Sequence, residues 1–234
     1  MIIIYDFDGT LTPYSMPKYE IIKKCGYDDN KLKKRIIEVI KNEKIGLYEA
    51  YYTCYKDILK ENNIEMNINN ICLKADSVTF NSGVIEYFNK FQYKNTGAKH
   101  YIVTSGIKDY IEHTKISKFV DGIFGVTLKK VNSNLLDINT LLTDEDKVNT
   151  IKKIQTLNNN TNKIIYMGDG LTDRFAFEYI HNIGGINIFI SSNNQSKDIY
   201  NEINNEKIID NYFEADFRLD SKLSKYIKKK IENI

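Results

Sequence analysis

Met1-Ile2-Ile3-Ile4-Tyr5-Asp6-Phe7-Asp8-Gly9-Thr10-Leu11-Thr12 opens the chain, and its reading decides the architecture of the rest. Ile2 to Tyr5 is an unbroken β-branched and aromatic run, the pattern of a strand buried on both faces. It ends at two acids two positions apart, Asp6 and Asp8, followed by a glycine and two threonines. Alternate strand positions share a side, so both carboxylates can aim at one point beyond the strand's carboxyl end. In open α/β sheets that crevice is where ligands bind. Two close, buried carboxylates repel each other and call for a cation or a proton between them.

The text then changes character. Pro13 and Pro17, the only prolines, lead out of the strand. Residues 18–80 carry helical periodicity, with Tyr19, Ile22, Ile36, Ile37 and Ile40 recurring at spacings of three or four between lysines. Leu47, Ala50, Tyr51, Cys54, Ile58 and Leu59 continue it, and the Asn-rich residues 62–70 join two helices. From Asn81 helices and strands alternate. Ser82 is placed to cap a helix bearing Val84, Ile85, Phe88 and Phe91. Strands are predicted at residues 100–104, 122–126, 163–167 and 185–190, with helices from Ile107, over residues 146–157 and 172–182, and from Asp220. Residues 127–143 read as irregular, either a hairpin or a loop. The alternation predicts an α/β fold, a doubly wound parallel sheet formed by residues 1–12 and 82–234, with residues 13–81 as a small all-helical cap inserted after the first strand.

Composition narrows the function classes. The 234 residues are 42% hydrophobic and 27% charged, ordinary for a chain that buries a core. A net charge of +2 gives no basic footprint for nucleic acid. Cys25, Cys54 and Cys72 are odd in number and lack metal-type spacing, which reads as reduced thiols in a cytoplasmic protein. Neither a secretory signal nor a bilayer-spanning run of about 20 apolar residues is visible, so no membrane partner is expected.

Three further places repeat the chemistry of the opening. Val103-Thr104-Ser105-Gly106 ends a predicted strand just before a helix, where a hydroxyl and free backbone N–H groups suit an anion. Lys147 stands at the start of a helix behind Asp144, Glu145 and Asp146. Tyr166-Met167-Gly168-Asp169-Gly170-Leu171-Thr172-Asp173 ends another buried strand in two acids, interleaved with glycines that allow close backbone approach.

In this order these stretches resemble the four motifs of the haloacid dehalogenase (HAD) superfamily, and Ser105 to Ile111 with the C-terminal arrangement looks most like its phosphoserine-phosphatase-like branch. The resemblance implies a HAD-like Rossmannoid core and a Mg²⁺-dependent phosphatase acting on a small-molecule phosphate ester. By resemblance Asp6 is nucleophile and metal ligand, and Asp8 is the general acid and base that also gives its backbone carbonyl to the metal. Asp169 is a metal ligand, and Asp173 belongs with the metal-site residues, in or near the shell behind the direct ligands, orienting water or Lys147. Lys147 offsets phosphate charge, with Lys163, Lys129 and Lys130 as rivals for that place. The phosphate-binding hydroxyl is Thr104 or Ser105, beside Gly106. Asp8 argues for phosphatase or phosphomutase, because relatives that keep their phosphoenzyme longer carry Thr there. A non-catalytic phosphate-binding protein on the same scaffold stays as an alternative, as do both a monomer and a homodimer. Substrate choice falls to the cap, where Tyr14, Lys18, Tyr19, Lys23 and Lys24 are candidate contacts and Arg35 is the only arginine.

Overall fold

The opening run is the middle strand of the sheet in the computed structural model, which describes residues 1–13, 16–192 and 196–232. In chain order the elements are β1 (Ile2–Tyr5), α1 (Met16–Lys24), α2 (Asp29–Glu43), α3 (Leu47–Glu61), α4 (Ile68–Ile71), α5 (Val84–Phe91), α6 (Tyr93–Thr96), β2 (Lys99–Ile107), α7 (Lys108–Glu112), β3 (Gly122–Lys130), β4 (Leu136–Thr140), α8 (Asp144–Leu157), β5 (Ile164–Gly168), α9 (Arg174–Asn182), β6 (Ile186–Ser191), α10 (Ser196–Asn204), β7 (Asn211–Glu214) and α11 (Lys222–Glu232). Among the described residues the sheet runs β4-β3-β2-β1-β5-β6-β7, and every neighbouring pair is parallel except β3 and β4.

The strand's period of two accounts for the layering. Ile3 and Tyr5 of β1 pack with Val84, Phe88, Leu223 and Ile227, from α5 and α11, on one face. Ile2 and Ile4 pack with Ile151, Ile154, Phe177 and Ile203, from α8, α9 and α10, on the other. A strand covered on both faces has no polar side, hence the unbroken apolar run. The fold is the doubly wound α/β class that the sequence predicts. No described helix is long and apolar enough to cross a membrane.

Between β1 and α5 the chain makes the helices α1 to α4. Their buried residues, among them Ile22, Tyr55, Ile58 and Leu59, form a cluster that continues into Ile107, Tyr110 and Val126, with Leu128, Leu136 and Ile138 packed against it. Residues 127–143 thus supply a ledge: β3 and β4 form an antiparallel hairpin, joined to the insert where the Leu136 N–H donates to Met66 O at 2.8 Å.

Local expectations fail in instructive places. β2 does not stop at Thr104 but runs to Ile107, so Thr104, Ser105 and Gly106 lie in a strand end, where the ladder to β3 is irregular, and not at a helix start. The helix expected from Ile107 is only the short α7, followed by a 3₁₀ turn at Ser117–Phe119. Gly83, at φ 78°, caps α5 in place of Ser82. β7 and α10 carry no prediction at all.

Candidate active site

β1 and β5 lie side by side, while β2 and β3 continue to one side and β6 and β7 to the other. That divergence makes the crevice at their carboxyl ends the switch point of the sheet. Asp6 and Asp169 are the first residues past the two strands, and the Asp6 N–H donates to Met167 O at 2.8 Å, which ties the two ends together. Carboxylate oxygens of Asp6, Asp169 and Asp173 all lie within 4.8 Å of one another. Gly9 makes this possible. At φ +84° and with a Cβ position only 2.0 Å from Asp169 Oδ2, it leaves the room that any side chain would take. Thr10 Oγ1 then donates to Asp169 Oδ1 at 3.0 Å.

Lys147 reaches the same place from α8. Thr143 and Asp146 close a reciprocal capping box at the start of that helix, with the Asp146 N–H on Thr143 Oγ1 at 3.3 Å and the Thr143 N–H on Asp146 Oδ2 at 3.0 Å. The box fixes the turn from which Lys147, 1% exposed, points inward. Its ammonium donates to Asp6 Oδ1 at 3.0 Å and to Asp173 Oδ1 at 2.6 Å. Asp173 Oδ1 also accepts from Tyr166 Oη at 2.6 Å, and Oδ2 accepts from the N–H groups of Asp169 at 3.1 Å and Gly170 at 3.2 Å. Each Asp173 oxygen therefore holds two donors, its ordinary capacity. Asp173 thus braces Lys147 and the turn that carries Asp169, while its carboxylate also lies in the acidic group with Asp6 and Asp169.

Three carboxylates face one ammonium, with Asp6, Asp173 and Lys147 buried and Asp169 half-buried. Burial pushes the Asp6 carboxyl up to about 7; Lys147 pulls it back, and Asp173 and Asp8 add to the rise. Burial and then Asp6 and Asp173 hold Asp169 well above the carboxylate range. Burial works against the charge on Lys147, yet Asp173 and Asp6 keep the ammonium well above its ordinary value. An all-oxygen donor set with this surplus of acid fits a hard divalent cation.

The Asp8 side chain stands outside that acidic cluster. Its Oδ2 lies 3.5 Å from the point where a Gly106 Cβ would sit, and Thr104 Oγ1 lies 3.4 Å from the same point. Asp8, Thr104 and Gly106 thus meet at the end of β2. Thr104 is buried, and its oxygen accepts the Gly106 N–H at 3.0 Å, leaving the hydroxyl hydrogen free to donate elsewhere. Ser105 Oγ is buried beside Tyr48. Of the lysines weighed for the cationic role, Lys129 and Lys130 are exposed on β3 and Lys163 is exposed at the amino end of β5, so only Lys147 comes to the acids.

Two residues the sequence reading passed over reach down from α3. Tyr48 Oη donates to Asp144 Oδ1, and Tyr52 Oη donates to Ser105 O at 2.8 Å. Their spacing of four places them on one helix face, the signal that could have found them. Of the candidate contacts in the insert, Lys23 and Lys24 are exposed on α1. Tyr14 lies outside the described residues, as do the side chains of Lys18 and Tyr19. Arg35 is engaged within the insert, with Glu61 at 2.7 and 2.6 Å and Tyr27 Oη at 2.6 Å.

No family model matches the chain, and neither does any curated protein. Solved structures do. A HAD family hydrolase from Salmonella enterica subsp. enterica serovar Typhi has a TM-score of 0.68 at 18% identity, over 94% of this chain and 72% of that one. A substrate-bound phosphoserine phosphatase has a TM-score of 0.65 at 19% identity, over 97% of each chain. Cytosolic 5′-nucleotidase IIIB bound to cytidine has a TM-score of 0.60 at 13% identity, over 99% of this chain and 85% of that one. At such identities the likeness establishes the fold alone, one that this chain shares with a HAD family hydrolase and with phosphoserine phosphatases.

Proposed function

We propose that this chain is a Mg²⁺-dependent phosphatase that hydrolyses a small-molecule phosphate monoester through an aspartyl-phosphate on Asp6. The observation that carries the reading is Lys147 buried between Asp6 and Asp173, with Asp169 beside them, at the switch point of a fold shared with phosphatases.

Unaided hydrolysis of phosphate monoesters is extremely slow, and its catalysis is mostly positioning and charge stabilisation. Asp6, held by its N–H on Met167 O, attacks phosphorus and takes the phosphoryl group, dividing one hard step into two. Lys147 offsets the charge that accumulates beside it. The Thr104 or Ser105 hydroxyl donates to a phosphoryl oxygen. Asp8, apart from the acidic cluster and next to Gly106, gives its proton to the leaving oxygen and then takes one from the hydrolytic water. Asp173 keeps Lys147 and the Asp169 turn in place. A Mg²⁺ ion would be held by Asp6, Asp169 and the Asp8 main chain, and would supply neutralisation of phosphoryl charge.

The test is turnover of an aryl phosphate by the full chain. Activity is expected with Mg²⁺ and none in chelator, with Asp6→Asn inactive and Asp8→Asn accumulating an acid-stable, hydroxylamine-sensitive phosphoenzyme. Undiminished turnover in Asp6→Asn removes the nucleophile assignment. Failure of the wild-type chain on every ester, with Mg²⁺ bound, leaves a phosphate-binding protein instead.

A further inference from the structure

Tyr110 on α7 is 1% exposed, and its hydroxyl makes no hydrogen bond. A buried hydroxyl left in that state is costly, and Phe would fill the same space without the cost. The ring packs in the cluster shared by the insert and the core, one turn past Gly106. The hydroxyl stands within electrostatic reach of Asp8 and Glu20. Ser105 Oγ is buried nearby in sequence, and Tyr52 covers Ser105 from α3 through its bond to the Ser105 carbonyl. An unsatisfied hydroxyl therefore lies under the insert, close to the side chain that protonates the leaving oxygen.

Among the described residues, the charged groups that act most on Tyr110 are acids. Burial, and then the charges of Glu20, Asp8 and Asp76, push the Tyr110 hydroxyl up from its ordinary value. Lys74 is paired with Glu20 at 3.4 Å, and Arg35 is occupied by Glu61 and Tyr27. Among the described side chains, a leaving group with its own carboxylate would meet Asp8 and Asp76, with Lys74 already paired to Glu20 and Arg35 engaged elsewhere.

We propose that Tyr110, with Ser105 and Tyr52, forms the subsite for the leaving alcohol, and that this alcohol carries hydroxyl groups and no second anionic group, as in a polyol or sugar monophosphate. A hydroxyl can both donate and accept, so the Tyr110 phenol and a substrate hydroxyl satisfy each other in either direction. A site built to bond a substrate hydroxyl discriminates strongly against analogues that lack it, because its own polar group is then left unpaired. The assignment rests on the phosphatase reading above and specifies its substrate.

The experiment compares glycerol phosphate, phosphoglycolate and p-nitrophenyl phosphate as substrates of the full chain with Mg²⁺. The ratio of kcat/KM for glycerol phosphate over phosphoglycolate is expected to exceed about tenfold. Tyr110→Phe should reduce that ratio about tenfold, mainly through KM for the polyol ester. A preference for phosphoglycolate, or a Tyr110→Phe variant that shifts all three esters alike, overturns the subsite. If the wild-type chain turns over none of them, the phosphatase reading fails, and calorimetric binding decides the subsite separately. Tighter binding of glycerol phosphate than of phosphoglycolate, lost in Tyr110→Phe, sustains it; equal binding or none overturns it.

Discussion

Lys147 carries its ammonium to a point closed to water, with Asp6 and Asp173 at 3.0 and 2.6 Å. Removing one partner of such a group leaves the others buried and uncompensated, which typically costs about 3–5 kcal/mol. Lys147→Met is therefore expected to lower the free energy of unfolding by that much, read from a fall in the urea midpoint, as well as to abolish turnover; unchanged stability would show that the ion pairs are not what holds this corner. Gly9 poses a separate question, because its neighbour is the Asp169 carboxylate itself. Gly9→Ala sets a Cβ within 2.0 Å of Asp169 Oδ2 at φ +84°. The left-handed strain is modest, about 1–2 kcal/mol, so the chain should stay folded while losing the stabilisation that Mg²⁺ confers, read as a thermal shift. Asp6, Asp8 and Asp169 stand out in the sequence because acids at the ends of apolar strands are conspicuous there, whereas Lys147, one lysine among many, is singled out only by its place in the order of the motifs it resembles. The saturation of Asp173 was not. Its donors come from α8, from β5 and from the turn after β5, and Tyr166 in the sequence is only one more aromatic in an apolar strand.

Elements are tied to one another by polar links that periodicity does not reveal. Phe91 O can only accept, so His100 Nε2 donates to it at 2.6 Å. Nδ1 must then accept from Tyr5 Oη at 2.9 Å, and Tyr5 in turn accepts from Tyr87 Oη at 2.9 Å. One buried chain of hydrogen bonds thus joins β1, β2 and α5 behind the site. Burial pushes the His100 imidazole down to about 4 from its ordinary 6.5, with the Phe91 carbonyl acting in the other direction. The unfolded chain binds this proton more readily than the folded one. Stability from the neutral imidazole is therefore complete above pH 6.5 and is lost as pH falls toward about 4. At about 1.4 kcal/mol per pH unit the loss is roughly 3 kcal/mol. His100→Gln, which keeps a donor and an acceptor, should show a shallower decline in urea midpoint across that range; an equal decline would assign the acid sensitivity to other groups. The same limit on legibility applies to the sheet's margins. β4 carries half-buried and exposed residues and β7 alternates them, so neither repeats the continuous apolar signature of β1. The hairpin and the last strand form because a neighbouring strand offers its ladder, a cause that lies outside their own residues.

At the scale of the molecule, the chain places its acids where folding alone does not reward them. The sheet order brings β1 against β5, and that adjacency sets Asp6, Asp169 and Asp173 within 4.8 Å of one another with one lysine among them. A cation bound by the native arrangement and not by the unfolded chain must stabilise the whole fold, by about 2.7 kcal/mol at a concentration one hundred times its Kd. For a chain of this size each kcal/mol moves Tm by about 2–4 °C, so saturating Mg²⁺ should raise Tm by about 5–10 °C. The increase should be absent in Asp169→Asn, whose turn is still held by Asp173 through the N–H groups of residues 169 and 170 and whose amide keeps the shape of the side chain. Calorimetric scans with and without Mg²⁺ on both chains make the comparison. A wild-type Tm indifferent to the ion would mean that Lys147 alone balances the acids. An equal rise in Asp169→Asn would place the cation elsewhere on the surface.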